Sequence, residues 1–288
     1  MAVYKQTYKD YSGTRTTPWF RFLILSRYSY ARLFQSKFLI LFLAVCMFYP
    51  LGCAVFIYFS HNIPLLTALR LQSGAMPAID GQFFNVYCVV QGALAFLLTT
   101  FVGPSLVAPD LANGAMSLYL SRPFSRTQYV AGKMTILLLL LSLITWIPGI
   151  VLYLIQAGCA GWDWTRGNAW LAGSIVLGLW IWIVVLSLIA LALSAWVKWK
   201  IAAGALILGV FFAGAGFGAA IKNVTRTHYG AFIDLMQVVH TIWSDLFRIR
   251  IGSRPDLSVT EAWAVLGVTC ALCLWLLAKR IRAFEVVK

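Results

Sequence analysis

Residues 110–133 of the chain read DLANGAMSLYLSRPFSRTQYVAGK. This polar, basic stretch separates two long apolar runs, 81–109 and 134–162, neither of which contains a charged residue. About 20 apolar residues in a helix cross the hydrocarbon core of a bilayer, so each run predicts a transmembrane helix. The stretch between them must then lie at a membrane surface, where it connects the two helices.

The composition of the whole chain extends this interpretation. Of its 288 residues, 61% are hydrophobic and 11% are charged, with a mean hydropathy of +0.83, which excludes an ordinary soluble domain. Further uncharged stretches lie before and after the central pair. We therefore predict an all-α integral membrane protein that forms a single transmembrane domain, residues 1–288, with six transmembrane helices. The predicted spans are about 38–60, 83–109, 134–157, 169–197, 201–221 and 262–278.

The distribution of Lys and Arg predicts the orientation of these spans. If the N-terminus is cytoplasmic, segments 1–37, 110–133, 198–200 and 279–288 are cytoplasmic as well, and they hold most of the 23 basic residues. This is the positive-inside pattern, and it predicts a multi-pass protein of the plasma (inner) membrane with both termini in the cytoplasm. Attraction to anionic lipid accounts for the net charge of +14, so no nucleic acid partner is expected.

Two segments outside the spans are also expected to be helical. Thr17 and Pro18 have the residue types of a helix N-cap and first position, and predict an interfacial helix over 19–37. In the extracytoplasmic loop 222–261, an amphipathic or re-entrant helix is expected. Its apolar side comprises Phe232, Leu235, Met236, Val239, Ile242, Trp243 and Leu246, and its polar side Asp234, Gln237, Thr241, Asp245 and Arg248. A seventh span is disfavoured, since each Asp would cost about 2.5–3.5 kcal/mol near the bilayer centre.

No residue pattern indicates an enzyme. The predicted spans contain no central acid, base or metal-ligand cluster, and Cys270 and Cys273 lie in an apolar helix, where packing explains them. Gly132 and Lys133 do not complete a phosphate-binding loop. We expect no catalytic or metal site and no nucleotide bound by this chain. Gly209, Gly214 and Gly218, on one apolar helix, are predicted to be helix-packing residues.

The stretch 110–133 itself predicts a helix, a corner and a second helix. Asp110 is placed to cap a short helix. Its apolar stripe would comprise Leu111, Ala115 and Leu118. Pro123 would end this helix, and Ser125 would cap the next one. Such a rigid loop can transmit force from a partner; a basic loop anchored on lipid headgroups remains the alternative.

The residue types in this stretch resemble the signature of ABC type-2 exporter permeases. The resemblance comprises Asp110, Asn113, Gly114, Leu120, Ser121, Arg122, Pro123, Ser125, Arg126, Tyr129, Gly132 and Lys133. That family often has Glu where this chain has Asp110. Six spans, an N-terminal interfacial helix and a long loop between the fifth and sixth spans also match the family, so the resemblance covers nearly the whole chain.

The resemblance implies a function and partners. The stretch would be a cytoplasmic coupling helix that docks on a separate ATPase subunit, which would hold ATP and Mg. The coupling residues would be Asp110, Asn113, Gly114, Leu118, Ser121, Arg122, Pro123 and Arg126. The outer helix would form part of a gate, with Phe232, Met236, Val239 and Trp243 as candidates, and a second permease subunit would complete the pathway.

Sparsely charged spans suggest export of a hydrophobic or amphipathic molecule across the lipid bilayer. The alternative function is a non-transporting membrane module for assembly or signalling on the same fold.

Overall fold

The computed structural model describes residues 21–62, 77–113, 125–225, 228–249 and 257–280. Within these ranges the regular structure is helical, and no described residue lies in a β-strand. The α-helices are α1 (Arg21–Leu33), α2 (Lys37–His61), α3 (Gly81–Ala112), α4 (Arg126–Ile144), α5 (Trp146–Ala160), α6 (Trp162–Gly167), α7 (Ala169–Trp196), α8 (Lys200–Thr225), α9 (Leu235–Leu246) and α10 (Val259–Arg280). A 3₁₀ turn, His228–Phe232, precedes α9.

Six helical segments in the described part of the chain are long and apolar enough to cross a membrane. They are Lys37–His61, Gly81–Asp110, Arg126–Ala160, Ala169–Trp196, Lys200–Thr225 and Val259–Arg280. The prediction of an all-helical, multi-pass membrane protein with six apolar helices is confirmed at this level.

Helix α7 forms the centre of the bundle. In its most apolar window 72% of the residues are buried inside the protein, against 28% for α2 and α8 and 22% for α10. Trp182, near the middle of α7, is buried and donates its indole N–H to the carbonyl of Gly92 on α3, at 2.8 Å. The exposed faces of the peripheral helices are apolar, as expected for surfaces in contact with lipid.

The third apolar segment is broken, whereas the sequence predicted one continuous span over 134–157. Helix α4 ends at Ile144, Thr145 has non-helical backbone angles, and α5 begins at Trp146. Pro148 explains the break, because proline has no N–H to donate to the carbonyl four residues earlier and its ring collides with that carbonyl. That carbonyl belongs to Ile144, and it accepts a hydrogen bond from the buried amide of Gln91 on α3.

The short helix α9 lies against the bundle with its C-terminal half buried. Asp234 caps it, its carboxylate accepting from the N–H groups of Met236 at 3.0 Å and Gln237 at 3.2 Å. Trp243 donates its indole N–H to the carbonyl of Gly178 on α7 at 2.8 Å. With 12 residues, α9 is too short to span a bilayer.

The predicted division of α9 into two faces is partly wrong. Met236, placed on the apolar side, is 39% exposed, and Thr241, placed on the polar side, is 8% exposed. Packing against α7 and α10 selects which residues are covered, and the hydroxyl of Thr241 donates to the carbonyl of Gln237, which lowers the cost of burying it.

The three predicted packing glycines on α8 differ in their surroundings. A Cβ added to Gly218 would lie 2.7 Å from the carbonyl oxygen of Gly230, and one on Gly214 would lie 2.9 Å from that of Ile233. These two glycines let the 3₁₀ turn and the start of α9 approach α8 closely. Among the described residues, no atom lies within 4 Å of a Cβ added to Gly209, so the described helices give it no packing contact and its role in helix packing stays a prediction. It lies on a part of α8 that no other described element covers.

Candidate functional site

An ion pair joins the end of α3 to the beginning of α4. Lys133 Nζ lies 2.8 Å from Asp110 Oδ2, and the Tyr129 hydroxyl donates to the same oxygen at 2.8 Å. The amine of Lys133 also lies 5.6 Å from the centre of the Tyr129 ring. We call these three residues the Asp–Tyr–Lys triad. It joins the two helices that flank the segment 114–124: α3, which precedes the segment, and α4, which follows it.

The triad is largely screened from solvent. Tyr129 is fully buried, and the side chains of Lys133 and Asp110 are 6% and 19% exposed. The Asp110 carboxylate lies in the last turn of α3, where the helix dipole disfavours a negative charge, so the neighbouring ammonium offsets an otherwise unfavourable position. Removing one partner from a buried pair leaves an uncompensated charge, which makes such a pair a strong determinant of which residues face each other.

Asp110 is therefore not the N-cap that the sequence predicted. It lies inside α3, which continues through Pro109 to Ala112. Proline disrupts hydrogen bonding on its N-terminal side and need not stop the helix that follows it. The carboxylate accepts from Tyr129 and pairs with Lys133 instead of capping new N–H groups. Of the predicted stripe, Ala115 and Leu118 lie outside the described residues, and nothing is described of the Leu111 side chain.

The predicted start of the next helix is confirmed. The Ser125 hydroxyl accepts from the N–H of Gln128 at 3.2 Å, while the Gln128 side chain accepts from the N–H of Ser125 at 3.0 Å. This reciprocal capping box satisfies two N–H groups at the beginning of α4. The direction in which the chain leaves the segment 114–124 is thus determined locally, one turn before Tyr129.

Helix α1 packs along the first part of α4. The Ser26 hydroxyl donates to the carbonyl of Gly132 at 2.9 Å, and the Tyr30 hydroxyl donates to that of Ile136 at 2.7 Å. Burial raises the pKa of Tyr30 above its ordinary value, which keeps the hydroxyl protonated as a donor. Helix α1 falls within the predicted helix over 19–37, and it holds the α4 turns that carry Lys133.

The structure places only some of the predicted coupling residues. Asp110 belongs to the triad, Asn113 is exposed in the turn after α3 with its N–H bonded to the Pro109 carbonyl, and Arg126 is exposed at the start of α4. The remaining predicted residues lie outside the described residues: Gly114, Leu118, Ser121, Arg122 and Pro123.

The four predicted gate residues lie in the opposite half of the bundle. Val239 and Trp243 are buried among helices of the same chain, Phe232 is partly buried, and Met236 is exposed. Trp243 makes an edge-to-face contact with Trp182, with ring centres 6.1 Å apart. Val239 and Trp243 therefore belong to the packed core in this conformation.

Charged residues are divided unequally between the two ends of the bundle. At the end with the triad, Asp110 is the only acidic residue among those described. The basic residues there whose side chains the structure describes are Arg27, Lys37, Arg126, Lys133, Lys198, Lys200, Lys279 and Arg280. The opposite end carries Asp80, Asp163, Asp234, Asp245 and Glu261 together with Arg166, Lys222 and Arg248. Among the residues that the structure describes, one end of the bundle is thus strongly basic, and the other carries slightly more acidic than basic residues.

Sequence reasoning missed two buried polar contacts of the protein. It did not pair Asp110 with Lys133, because the two lie on different helices and only packing brings them together. It also overlooked Gln91, although a glutamine within the apolar run 81–109 was a visible signal of a buried polar contact.

No protein-family model matches the chain, and a search of curated protein sequences finds no match. Among the described residues, no group of three or more His, Cys, Asp and Glu side chains is arranged to hold a metal ion. The chemistry that the described site provides is that of a buried structural contact next to a basic surface.

Proposed function

We propose that this chain is the membrane-spanning permease subunit of an ABC transporter, which exports a hydrophobic or amphipathic molecule with energy from ATP hydrolysed by a separate subunit. One observation carries the proposal. Asp110, Tyr129 and Lys133, three residues by which the sequence resembles type-2 exporter permeases, meet in one contact at the base of the segment 114–124.

The triad suits this segment to transmitting force. A load applied to the segment would otherwise move the ends of α3 and α4 independently. With Asp110 paired to Lys133 and α1 bonded to Gly132 and Ile136, the load passes into three helices together. The break after Ile144, between α4 and α5, then gives the third apolar segment a point at which it can bend. In this mechanism the segment binds the ATPase, and the triad is a positioning element.

The charge division supports the orientation that coupling requires. Basic residues next to membrane spans remain in the cytoplasm, so the triad end would be cytoplasmic, where ATP is available. Both termini would then lie in the cytoplasm and the protein in the plasma (inner) membrane. ATP and Mg would bind the partner ATPase, and a second permease subunit, identical or related, would complete the pathway.

Co-purification tests the proposal. The full chain is expressed with ATPase subunits encoded by neighbouring reading frames, extracted in mild detergent and assayed for association and ATP hydrolysis. We expect a stable complex that Arg122→Ala and Asp110→Ala weaken while both variants still insert in the membrane. Arg166→Ala is the matched control, because Arg166 is an exposed cation at the opposite end. It should leave the complex unchanged.

Arg122→Ala is the more informative variant, since Asp110→Ala also removes the triad. If neither variant alters association or ATPase stimulation, the coupling assignment fails. If no ATPase accompanies the wild-type chain, transport fails as well, and the non-transporting assembly or signalling module is favoured.

A further inference from the structure

A basic and aromatic surface lies where α7, α8 and α10 reach the triad end of the bundle. It is formed by Trp196, Lys198, Trp199 and Lys200, in and around the turn between α7 and α8, and by Trp275, Lys279 and Arg280 of α10. We call it the basic–aromatic surface. It is separate from the triad, and neither the coupling mechanism nor the gate uses it.

Arg280 ties the two parts of this surface together. Its Nε donates to the carbonyl of Ala195 at 3.3 Å, and its guanidinium carbon lies 5.6 Å from the centre of the Trp196 ring. Ala195 is in the last turn of α7, where carbonyls have no donor within the helix, so Arg280 acts as a cap from a neighbouring helix. Lys279 lies 5.0 Å from the centre of the Trp275 ring. The cations are thus held beside aromatic rings.

The positive charge of this surface has no counter-charge within the described part of the protein. No described carboxylate lies within ion-pair distance of Lys198, Lys200, Lys279 or Arg280, and the one described acid at this end pairs with Lys133. All four cations are exposed. Trp199 and Ile201 beside them are 79% and 87% exposed. An anion with an attached apolar group would complement both properties.

We propose that the basic–aromatic surface binds the headgroup of an anionic phospholipid. The cations would contact the phosphate and the other anionic oxygens, the tryptophan rings would lie at the level of the glycerol backbone, and Ile201 would contact the acyl chains. The position favours a lipid over a soluble anion, because the surface continues into the exposed apolar faces of α8 and α10. This inference does not depend on the transport function.

The test measures the preference of the intact protein for an anionic lipid. The purified chain is placed in phosphatidylcholine nanodiscs with a small fraction of spin-labelled phosphatidylglycerol, and the immobilised label is titrated by electron paramagnetic resonance. We expect phosphatidylglycerol to be preferred over labelled phosphatidylcholine, and Lys198→Gln/Lys200→Gln to reduce that preference roughly tenfold or more. Added salt should reduce the preference in the wild type.

The matched control is Arg27→Gln/Lys37→Gln. It removes the same charge from the same end of the bundle, from exposed positions on α1 and α2. If it reduces the preference as much as Lys198→Gln/Lys200→Gln does, the lipid is attracted by the summed positive charge of the whole end of the bundle. That result would refute a localised site. Circular dichroism and gel filtration verify that both variants remain folded.

Three further outcomes would overturn the proposal. Displacement of the labelled lipid by inorganic phosphate at low concentration would identify a site for a free anion. Retention of the lipid preference in Trp275→Leu combined with Lys279→Gln and Arg280→Gln would show that the α10 part of the surface has no role. Capture of a soluble protein in place of lipid would assign the surface to a protein partner.

Discussion

The carboxamide of Gln91 donates to the carbonyl of Ile144, the carbonyl that Pro148 leaves without a helical donor. The same nitrogen donates to the carbonyl of Cys46 at 3.1 Å. That second carbonyl also lies four residues before a proline, Pro50, inside α2. A single side chain on α3 thus satisfies carbonyls that two prolines have freed on two other helices.

This arrangement predicts that Gln91→Leu is destabilising. Leucine fills a similar volume but leaves both carbonyls without a donor in a buried environment, and each unsatisfied group costs about 1–3 kcal/mol. We expect a loss of about 2–4 kcal/mol in unfolding free energy, measured by denaturant titration in mixed micelles. A stability equal to the wild type would contradict the role given to Gln91.

Pro148→Ala should reduce the effect of losing Gln91. Alanine restores an N–H at position 148 that can donate to the Ile144 carbonyl, so one of the two freed groups recovers a helical partner. In a double-mutant cycle, Gln91→Leu should cost about 1 kcal/mol less in the Pro148→Ala background. Strict additivity of the two changes would show that they do not act on the same carbonyl.

The triad predicts that Lys133→Met destabilises the protein. The substitution leaves the Asp110 carboxylate largely buried without a cation. Because that carboxylate is 19% exposed, we expect about 2–3 kcal/mol, below the roughly 3–5 kcal/mol of a fully enclosed pair. Asp110→Asn in the same chain should recover most of the loss. Lys200→Met is the matched control, since Lys200 is exposed and has no described carboxylate nearby. Equal effects of the two lysine substitutions would refute the pair.

Tyr129→Phe measures how much the hydroxyl of Tyr129 contributes to the unfolding free energy. The ring remains in its buried position, and the hydrogen bond to Asp110 Oδ2 is lost. A bond to a charged acceptor contributes about 1.5–3 kcal/mol, so we expect a loss in that range. In the Asp110→Asn/Lys133→Met background the same change should cost clearly less. If the cost is the same in both backgrounds, the hydroxyl stabilises the protein through another contact.

The glycines of α8 give a matched pair of substitutions. Gly218→Ala places a methyl group 2.7 Å from the backbone oxygen of Gly230, which cannot move away as a flexible side chain could. We expect a loss of about 1–3 kcal/mol. Gly209→Ala meets no atom of the described residues within 4 Å and should be neutral or stabilising by about 0.5–1 kcal/mol, the helix preference for Ala over Gly. The reverse order in thermal unfolding would refute the close approach at Gly218.

Features governed by local residue order could be predicted from the sequence. The six apolar segments follow from their length and lack of charge, and the start of α4 follows from Ser125 and Gln128, whose side chains bond to each other's backbone N–H groups. The division of charge between the two ends follows from the positions of Lys and Arg relative to the apolar segments. Each of these features depends on groups only a few residues apart, or on the alternation of apolar and charged segments along the chain.

Tertiary structure alone decided which residues meet. Asp110 and Lys133 lie on separate helices, and only the rotation of each helix about its axis brings their charges to 2.8 Å. Gln91 reaches two proline-freed carbonyls for the same reason, and Gly218 is crowded while Gly209 is open because the 3₁₀ turn covers only one part of α8. Hydropathy determines that a segment enters the membrane, whereas the packing of side chains determines which face it presents to its neighbours.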